Sequence, residues 1–162
     1  MKIHNKENCS EIRRGIATVE FAVVAPVFIS LILGMAEMSR ALDVSTNLTA
    51  AVREGGRLAS MHHNGAIPPG MTTEQKVIHD IRNVLKANGI NGAKTTLTIT
   101  HADGNNEGQD FDLDSGDNYL QNFRISASIA FSDVTIFPLR RMENQSLNSW
   151  VVFRLGKADL YE

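Results

Sequence analysis

The residue that most clearly calls for a chemical explanation is Glu20, the single charged side chain in an apolar run covering residues 16–36. A carboxylate at the centre of a membrane helix costs about 2.5–3.5 kcal/mol on insertion scales. Glu20 lies near one edge of the run, which lowers this cost, and a short basic leader that ends at Gly15 precedes it. Position alone allows two interpretations. The carboxylate either reaches to the lipid headgroups or meets a specific partner.

The second candidate is the acidic stretch 103–114. Asp103, Asn105 and Glu107 stand at positions one, three and five of a twelve-residue frame that resembles a calcium-binding loop, and Asp114 stands at position twelve. However, no helix precedes the stretch, Asp110 replaces an aliphatic residue, and the last position should be glutamate. We favour a solvated hairpin loop between two strands. A loose calcium site formed by these four side chains is the alternative, and no other cofactor is expected.

Other combinations of reactive residues lack the necessary spacing. His62 and His63 are neighbours, so on a helix they point apart and cannot share a metal ion. The chain contains no His-Glu-x-x-His motif and no nucleophile elbow, and no spacing links its serines, histidines and aspartates. We therefore do not expect an enzyme.

Composition fits one folded domain with an appendage. The 162 residues are 43% hydrophobic and 21% charged, which excludes a disordered chain. Residues 1–15 carry four basic and two acidic side chains, which leaves 12 basic and 16 acidic side chains in the remainder. An acidic remainder argues against nucleic acid as a partner. The one cysteine, Cys9, lies in the leader, so the chain beyond it forms no internal disulfide.

Residues 16–36 predict a helix about 31 Å long, sufficient to span a bilayer. The basic leader places the amino terminus on the cytoplasmic side. Pro26 predicts a kink or local melting. The helix is expected to continue through residues 37–60, where an apolar stripe includes Met38, Leu42, Leu48, Val52, Leu58 and Ala59. Gly55 and Gly56 indicate either fraying or the close approach of another helix.

Residues beyond 60 predict a small head. Thr72 and Gln75 form a potential capping box for an amphipathic helix that ends at Asn88 and Gly89. Strands are predicted at residues 94–101, 123–131, 134–136 and 149–155. The fold class is therefore α+β: a long N-terminal transmembrane helix, a second amphipathic helix and a small antiparallel sheet of three to four strands. The predicted segments are a leader at 1–15, a membrane-spanning and extended helix at 16–60, and a head at 61–162.

The order Arg13, Arg14, Gly15, then Glu20 and Phe21 at the start of an apolar run, resembles the signal of type IV pilins. With Pro26 and a later Val-Arg-Glu-Gly-Gly-Arg-Leu-Ala at 52–59, the chain is similar to TadE-like pseudopilins of the tight-adherence (Tad) pilus system. The resemblance covers roughly residues 13–60. One departure is Gly56, where the family pattern leads us to expect alanine.

The resemblance implies a function. A prepilin peptidase would cut between Gly15 and Ile16, and Glu20 and Phe21 would serve assembly, with Glu20 pairing with the Ile16 amine of a neighbouring subunit. The implied partners are that peptidase, other pilins and pseudopilins, the inner-membrane Tad platform and the lipid bilayer. The protein would be a minor pilin, pilin-like in fold, anchored in the bacterial inner membrane with its head in the periplasm. It would serve adhesion and biofilm formation if it is incorporated into a pilus.

Two rival hypotheses stay open at this point. Gly34, Met35 and Ala36 form a passable signal-peptidase site, which would release a secreted or periplasmic binding domain that begins at Glu37. Glu20 argues against it, because an acid beside the apolar region has no use in such a signal. The other rival is an inner-membrane assembly factor that is never cut.

Overall fold

A computed structural model describes residues 7–61, 67–135 and 145–156, with side chains described from residue 17 onward. Two helices, α1 (Glu7–Ser60) and α2 (Thr73–Ala87), precede three strands: β1 (Thr96–His101), β2 (Asn122–Ala130) and β3 (Ser146–Arg154). Short 3₁₀ turns occupy Gly92–Lys94, Gly116–Asn118 and Phe131–Asp133. The chain divides into two compact units, residues 1–39 and residues 40–162. The α+β fold class is confirmed.

The first unit consists of the amino-terminal part of α1. The backbone is helical from Glu7, inside the predicted leader, and it stays helical through Pro26, so local melting is absent there. Proline is tolerated in membrane helices because neighbouring groups can satisfy the freed backbone carbonyl. The carbonyl that Pro26 frees is that of Ala22, four residues earlier. The Ser30 hydroxyl donates a hydrogen bond over 2.7 Å to a different carbonyl, that of Pro26 itself.

The second unit is the head, which includes the outer part of α1. Its sheet has the order β1-β2-β3 with both neighbours antiparallel. Alternate β2 residues, beginning with Phe123 and Ile125, point into the core, as the period-two pattern predicts. Ile99 on β1 faces Ile125, and Val151 on β3 faces it from the other side. The inward face of the sheet therefore forms one wall of the core.

The core-facing stripe of α1 differs from the predicted one. Met38 and Leu42 are 62% and 59% exposed, whereas Leu48, Val52 and Ala59 are buried as expected. Leu42 and Leu48 are six residues apart, which places them about 120° apart around a helix, so they cannot share one narrow face. The buried stripe of this part of α1 combines aliphatic residues with small ones: Val44, Leu48, Ala51, Val52, Gly55, Gly56 and Ala59.

The amphipathic helix α2 follows the prediction closely. Thr72 and Gln75 form both hydrogen bonds of the capping box, Asn88 is the C-cap, and Gly89 has a φ of +73°. Val77, Ile81 and Leu85 are buried in the core, with Ile78 and Val84 packed against it. The local sequence signals for the start, the face and the end of this helix are all confirmed.

The strand predicted at 134–136 is wrong for its described part. Val134 follows the 3₁₀ turn Phe131–Asp133, and its amide donates to the carbonyl of Phe131. The Val134 side chain is 7% exposed, so it packs in the hydrophobic core although it does not belong to a strand. Ile136 lies outside the described residues. The described sheet therefore has three strands.

Candidate functional site

Two regions carry the candidate residues: the amino-terminal helix and the acidic connection, which we define as residues 102–121 between β1 and β2. In the helix, the peptide bond between Gly15 and Ile16 lies within continuous α-helical backbone. Glu20 follows Ile16 by four residues, one helical turn or about 6 Å along the axis. Glu20 and Phe21 are both exposed, with Phe21 exposed to 72%.

The helix surface after Glu20 is apolar on every side. Large aliphatic and aromatic side chains are exposed all along residues 19–38, among them Val23 at 68%, Phe28 at 62% and Ile32 at 57%. An 18-residue apolar window of this helix is 0% buried. A helix that is apolar all round requires a nonaqueous environment, and this one is long enough to cross a membrane.

The acidic connection joins two adjacent antiparallel strands, so the predicted hairpin loop is confirmed. It folds back on itself near β1: the His101 amide donates to the Gln109 carbonyl over 2.9 Å, and the Phe111 amide donates to the Ile99 carbonyl over 3.1 Å. Phe111 is fully buried. The connection is therefore anchored at its middle by an aromatic side chain and by backbone hydrogen bonds.

The structure directs three of the proposed calcium ligands to different partners. Asp103 accepts a hydrogen bond from the Asn122 side-chain amide over 2.6 Å, and Glu107 lies 3.5 Å from the guanidinium of Arg124. Asp114 accepts hydrogen bonds from the amide and the hydroxyl of Thr73. Asn105, the fourth, is exposed. Within residues 17–61, 67–135 and 145–156, no three His, Cys, Asp or Glu side chains converge as a metal site would need.

Asp114 instead serves the start of α2. The Thr73 amide donates to Asp114 Oδ2 over 3.1 Å, and the Asp114 amide in turn donates to Asp112 Oδ1 over 2.8 Å. Amides in the first turn of a helix have no intrahelical acceptor, so a carboxylate here satisfies a donor and complements the helix dipole. This contact links the acidic connection to α2 across 41 residues of sequence.

The acids near the start of α2 repel one another. Partial burial raises the pKa of Glu74 above its ordinary value of 4.5, and the negative charges of Asp112, Asp110 and Asp114 raise it further. A first-turn acid is normally favoured by the helix dipole. At Glu74, burial and then the neighbouring like charges act against that benefit.

The opposite end of α2 is basic. An open groove of about 670 Å³ lies between this end of the helix and the turn that follows, and its charged lining consists of Arg82 and Lys86, together with His79. Gly92 forms part of the wall, where an added Cβ would come within 2.8 Å of the Arg82 carbonyl oxygen. The groove therefore has a backbone wall and a cationic rim, with no acid among its lining residues.

A family comparison bears on the first of these regions. Residues 15–57 match the family model of TadE-like proteins. The amino-terminal segment of this chain is TadE-like. Neither the curated proteins nor the solved structures gave a match.

The TadE-like segment covers most of α1. It begins at Gly15, includes Glu20 and ends at Arg57, whose guanidinium forms an ion pair with Glu54 over 2.7 Å. It thus contains the exposed apolar part of α1 and most of the part that packs into the head, up to Arg57 but without the buried Ala59. The match supports the predicted resemblance and a role in the Tad pilus system, and the apolar helix supports membrane anchoring.

Sequence reasoning singled out Gly15, Ile16, Glu20 and Phe21 as candidate site residues, a prediction that stays open, and it missed the contacts within the head. It gave Asp114 as a potential metal ligand, whereas the structure shows it at the start of α2. It did not single out Arg82 and Lys86. Their spacing of four residues on one helix face was the available signal, because two like charges at that spacing destabilise a helix slightly.

Proposed function

We propose that this protein is a minor pilin, or pseudopilin, of a Tad pilus, made as a membrane-anchored precursor and cut by a prepilin peptidase between Gly15 and Ile16. The observation that carries the proposal is Glu20, the single charge of residues 16–36, one turn after Ile16 within the TadE-like segment. In this role the protein is the substrate of a peptidase and a structural component, and is itself no enzyme.

Cleavage after Gly15 would create a free amine on Ile16. A lone carboxylate and a lone ammonium are each costly in lipid, and pairing offsets part of both costs. Within one helix, Ile16 and Glu20 lie on the same face, but the amine of an incoming subunit can approach the exposed carboxylate from outside. The pairing of Glu20 with a neighbour's Ile16 amine would then set the axial register between two subunits.

The residue before the cut also fits this role. The Gly15–Ile16 bond lies in helical backbone, and a peptidase must open that backbone to reach the bond. Glycine costs a helix about 1 kcal/mol relative to alanine, so it lowers the free energy needed to open this turn. Gly15 would therefore present the peptidase with a small residue before the scissile bond and with a helical turn that opens more easily.

The same proposal fixes the orientation. The basic leader stays in the cytoplasm, the apolar helix crosses the inner membrane, and the head lies in the periplasm. Assembly with other pilins would replace the lipid around Val23, Phe28 and Ile32 by neighbouring helices in a filament core. The inner-membrane Tad platform is the proposed site of that transfer, and adhesion or biofilm formation its consequence.

We further propose that the acidic connection works without a bound metal ion. Asp103, Glu107 and Asp114 each have a partner on a different element, as hydrogen-bond acceptor or ion pair. Calcium would have to draw all of them away from those partners to gain six or more oxygen ligands.

The deciding experiment measures the amino-terminal sequence and the intact mass of the protein purified from its native membranes. The proposal predicts a chain that begins at Ile16. A chain that begins at Glu37 would instead show a conventional signal peptide and a released periplasmic domain. A chain that retains residues 1–15 would show an uncut assembly factor. Either of these last two results would refute the proposed processing.

A further inference from the structure

The charges of the head are separated along α2. The acidic connection lies at the first turn, where Asp114 contacts Thr73, and the basic groove lies at the other end. The helix has 15 residues, so the two ends are about 22 Å apart. One end of the helix is therefore acidic and the other basic.

The acidic end has unused negative charge. Asp110 and Asp112 are exposed, and neither carboxylate has a cationic partner among the residues that the structure describes. The Asp112 carboxylate accepts the backbone amide of Asp114, which is a neutral donor. Burial raises the pKa of nearby Glu74, and repulsion from Asp112 and Asp110 raises it further, so this end is short of positive charge.

The basic end has unused positive charge. Arg82 and Lys86 are exposed on one helix face, and neither forms an ion pair within the described part of the chain, whereas Lys76 pairs with Asp80 and Lys94 with Asp133. The like charges of Arg82 and Lys86 repel each other at this spacing. An anion in the groove would relieve that repulsion.

We propose that the basic groove at the end of α2 binds the acidic connection of a second copy of this protein, with Arg82 and Lys86 facing Asp110 and Asp112. Both surfaces are present on every copy, and they lie at opposite ends of one helix. The contact is therefore head-to-tail and leaves a free groove and a free connection at the two ends of any assembly. Such a contact extends a chain of copies instead of closing a dimer.

The strength of this contact is set by charge. Exposed ion pairs are individually weak and are screened by salt. Anchoring in one membrane raises the effective concentration of the heads for one another, so a weak contact can be occupied there. The contact concerns the head alone, and it goes beyond the proposed pilin role because it does not depend on cleavage after Gly15.

The test uses the full-length protein in membranes and in a Cys9→Ser background. One chain carries Ala93→Cys in the groove, and another carries Asn106→Cys in the connection; both positions are exposed. A short bismaleimide is added to membranes that contain both chains. We expect a cross-linked dimer from the mixture, and a ladder of higher species from one chain that carries both cysteines. Neither single-cysteine chain alone should give the dimer.

Charge-reversal variants test whether the contact depends on the charges of Arg82 and Asp110. Arg82→Glu should lower the cross-linked fraction at least about fivefold, because it turns attraction into repulsion. Introducing Asp110→Arg into the chain that carries Asn106→Cys should then restore it. Arg53→Glu is the matched control, since Arg53 is also an exposed helical arginine, and it should leave the yield unchanged. Labelling with a monofunctional maleimide checks that all thiols react equally.

Several results would overturn the proposal. Absence of a cross-link in the mixture would exclude the contact, and a dimer from Ala93→Cys alone would show a symmetric contact instead. An equal yield from Arg82→Glu and from the parent would show that charge plays no part. The thiol introduced by Ala93→Cys can also be tested for protection from labelling. Protection by a soluble polyanion or by another acidic protein, without protection by a second copy, would show that the groove binds a different anionic ligand.

Discussion

The ring of Phe153 on β3 lies directly against Gly56 of α1. A Cβ added at position 56 would come within 2.0 Å of Cε2 and 2.2 Å of Cδ2 of that ring. This contact explains the departure from the TadE-like pattern, in which we expect alanine at this position. Glycine lowers the helix propensity at this position, but its lack of a side chain allows the Phe153 ring to pack against the helix backbone.

Gly56→Ala should therefore destabilise the head, although it favours the helix by about 1 kcal/mol. Overpacking of this kind costs about 1–3 kcal/mol in a close-packed core. Urea unfolding of the full chain in detergent, followed by fluorescence of Trp150 on β3, measures the effect. Gly34→Ala is the control, because nothing lies within 4 Å of its added Cβ.

The Gly56→Ala, Phe153→Leu double variant tests the cause. If the ring is what the new methyl group meets, the double variant should lose less stability than the sum of the two single variants. Strictly additive losses would show that Gly56 is needed for another reason.

Asp114→Ala should destabilise the head by about 1–2 kcal/mol, because it leaves the Thr73 amide and hydroxyl without an acceptor at the start of α2. Thr73→Val removes the hydroxyl donor and keeps the amide. A double-mutant cycle with these two variants should give a coupling energy of at least about 0.5 kcal/mol. Asp117→Ala, an exposed acid in the same connection, should stay within about 0.5 kcal/mol of the parent.

Glu74→Gln should stabilise the head at pH 7. The folded state holds the Glu74 proton more tightly than the unfolded state, since burial and then the charges of Asp112, Asp110 and Asp114 raise its pKa above 4.5. Stability therefore falls as the pH rises from 4.5 through the raised pKa, and the glutamine variant lacks this fall. The advantage of the variant should vanish below pH 4.5.

Glu54→Gln provides a control of opposite sign. The hydrogen bond from Arg57 lowers the pKa of Glu54, so this carboxylate stabilises the fold above pH 4.5 and loses that effect as the pH falls through its lowered pKa. The variant should lose stability at pH 7. If both variants shift stability in one direction at pH 7, the burial of Glu74 and its repulsion by the acidic connection are not the cause.

Glu20→Ala and Gly15→Phe should separate assembly from processing. Gly15→Phe should leave the precursor uncut, because the bulky residue precedes the scissile bond. Glu20→Ala should be cut but poorly assembled. The measurements are the amino terminus from membranes and the amount of protein in sheared filaments. Normal processing and normal filaments in both variants would contradict the pilin proposal.

Calcium should leave the head unchanged. The midpoint of urea unfolding in 5 mM calcium, about ten times the dissociation constant of a weak extracellular site, should equal the midpoint in EDTA. An increase that Asp103→Asn abolishes would instead support the loose calcium site, and would require the connection to rearrange.

The sequence by itself determined what depends on local order. Glu20 within an apolar run, the glycine before it, and the length of that run are properties of consecutive residues, and the family match covers this stretch. The capping box of Thr72 and Gln75 and the alternation in β2 are equally local, because each needs only a few neighbouring residues.

The tertiary structure decided what depends on contacts between distant residues. The expected close approach of a helix holds for Gly55, which lies against Ile81 of α2, whereas Gly56 lies against Phe153 of β3, a strand residue. The residue type of Val134 predicts a strand, but the structure shows it buried directly after a turn, because packing overrides β propensity. Asp114 has the type of a metal ligand, yet the fold brings it to Thr73, and a hydrogen bond across 41 residues leaves no trace in spacing along the chain.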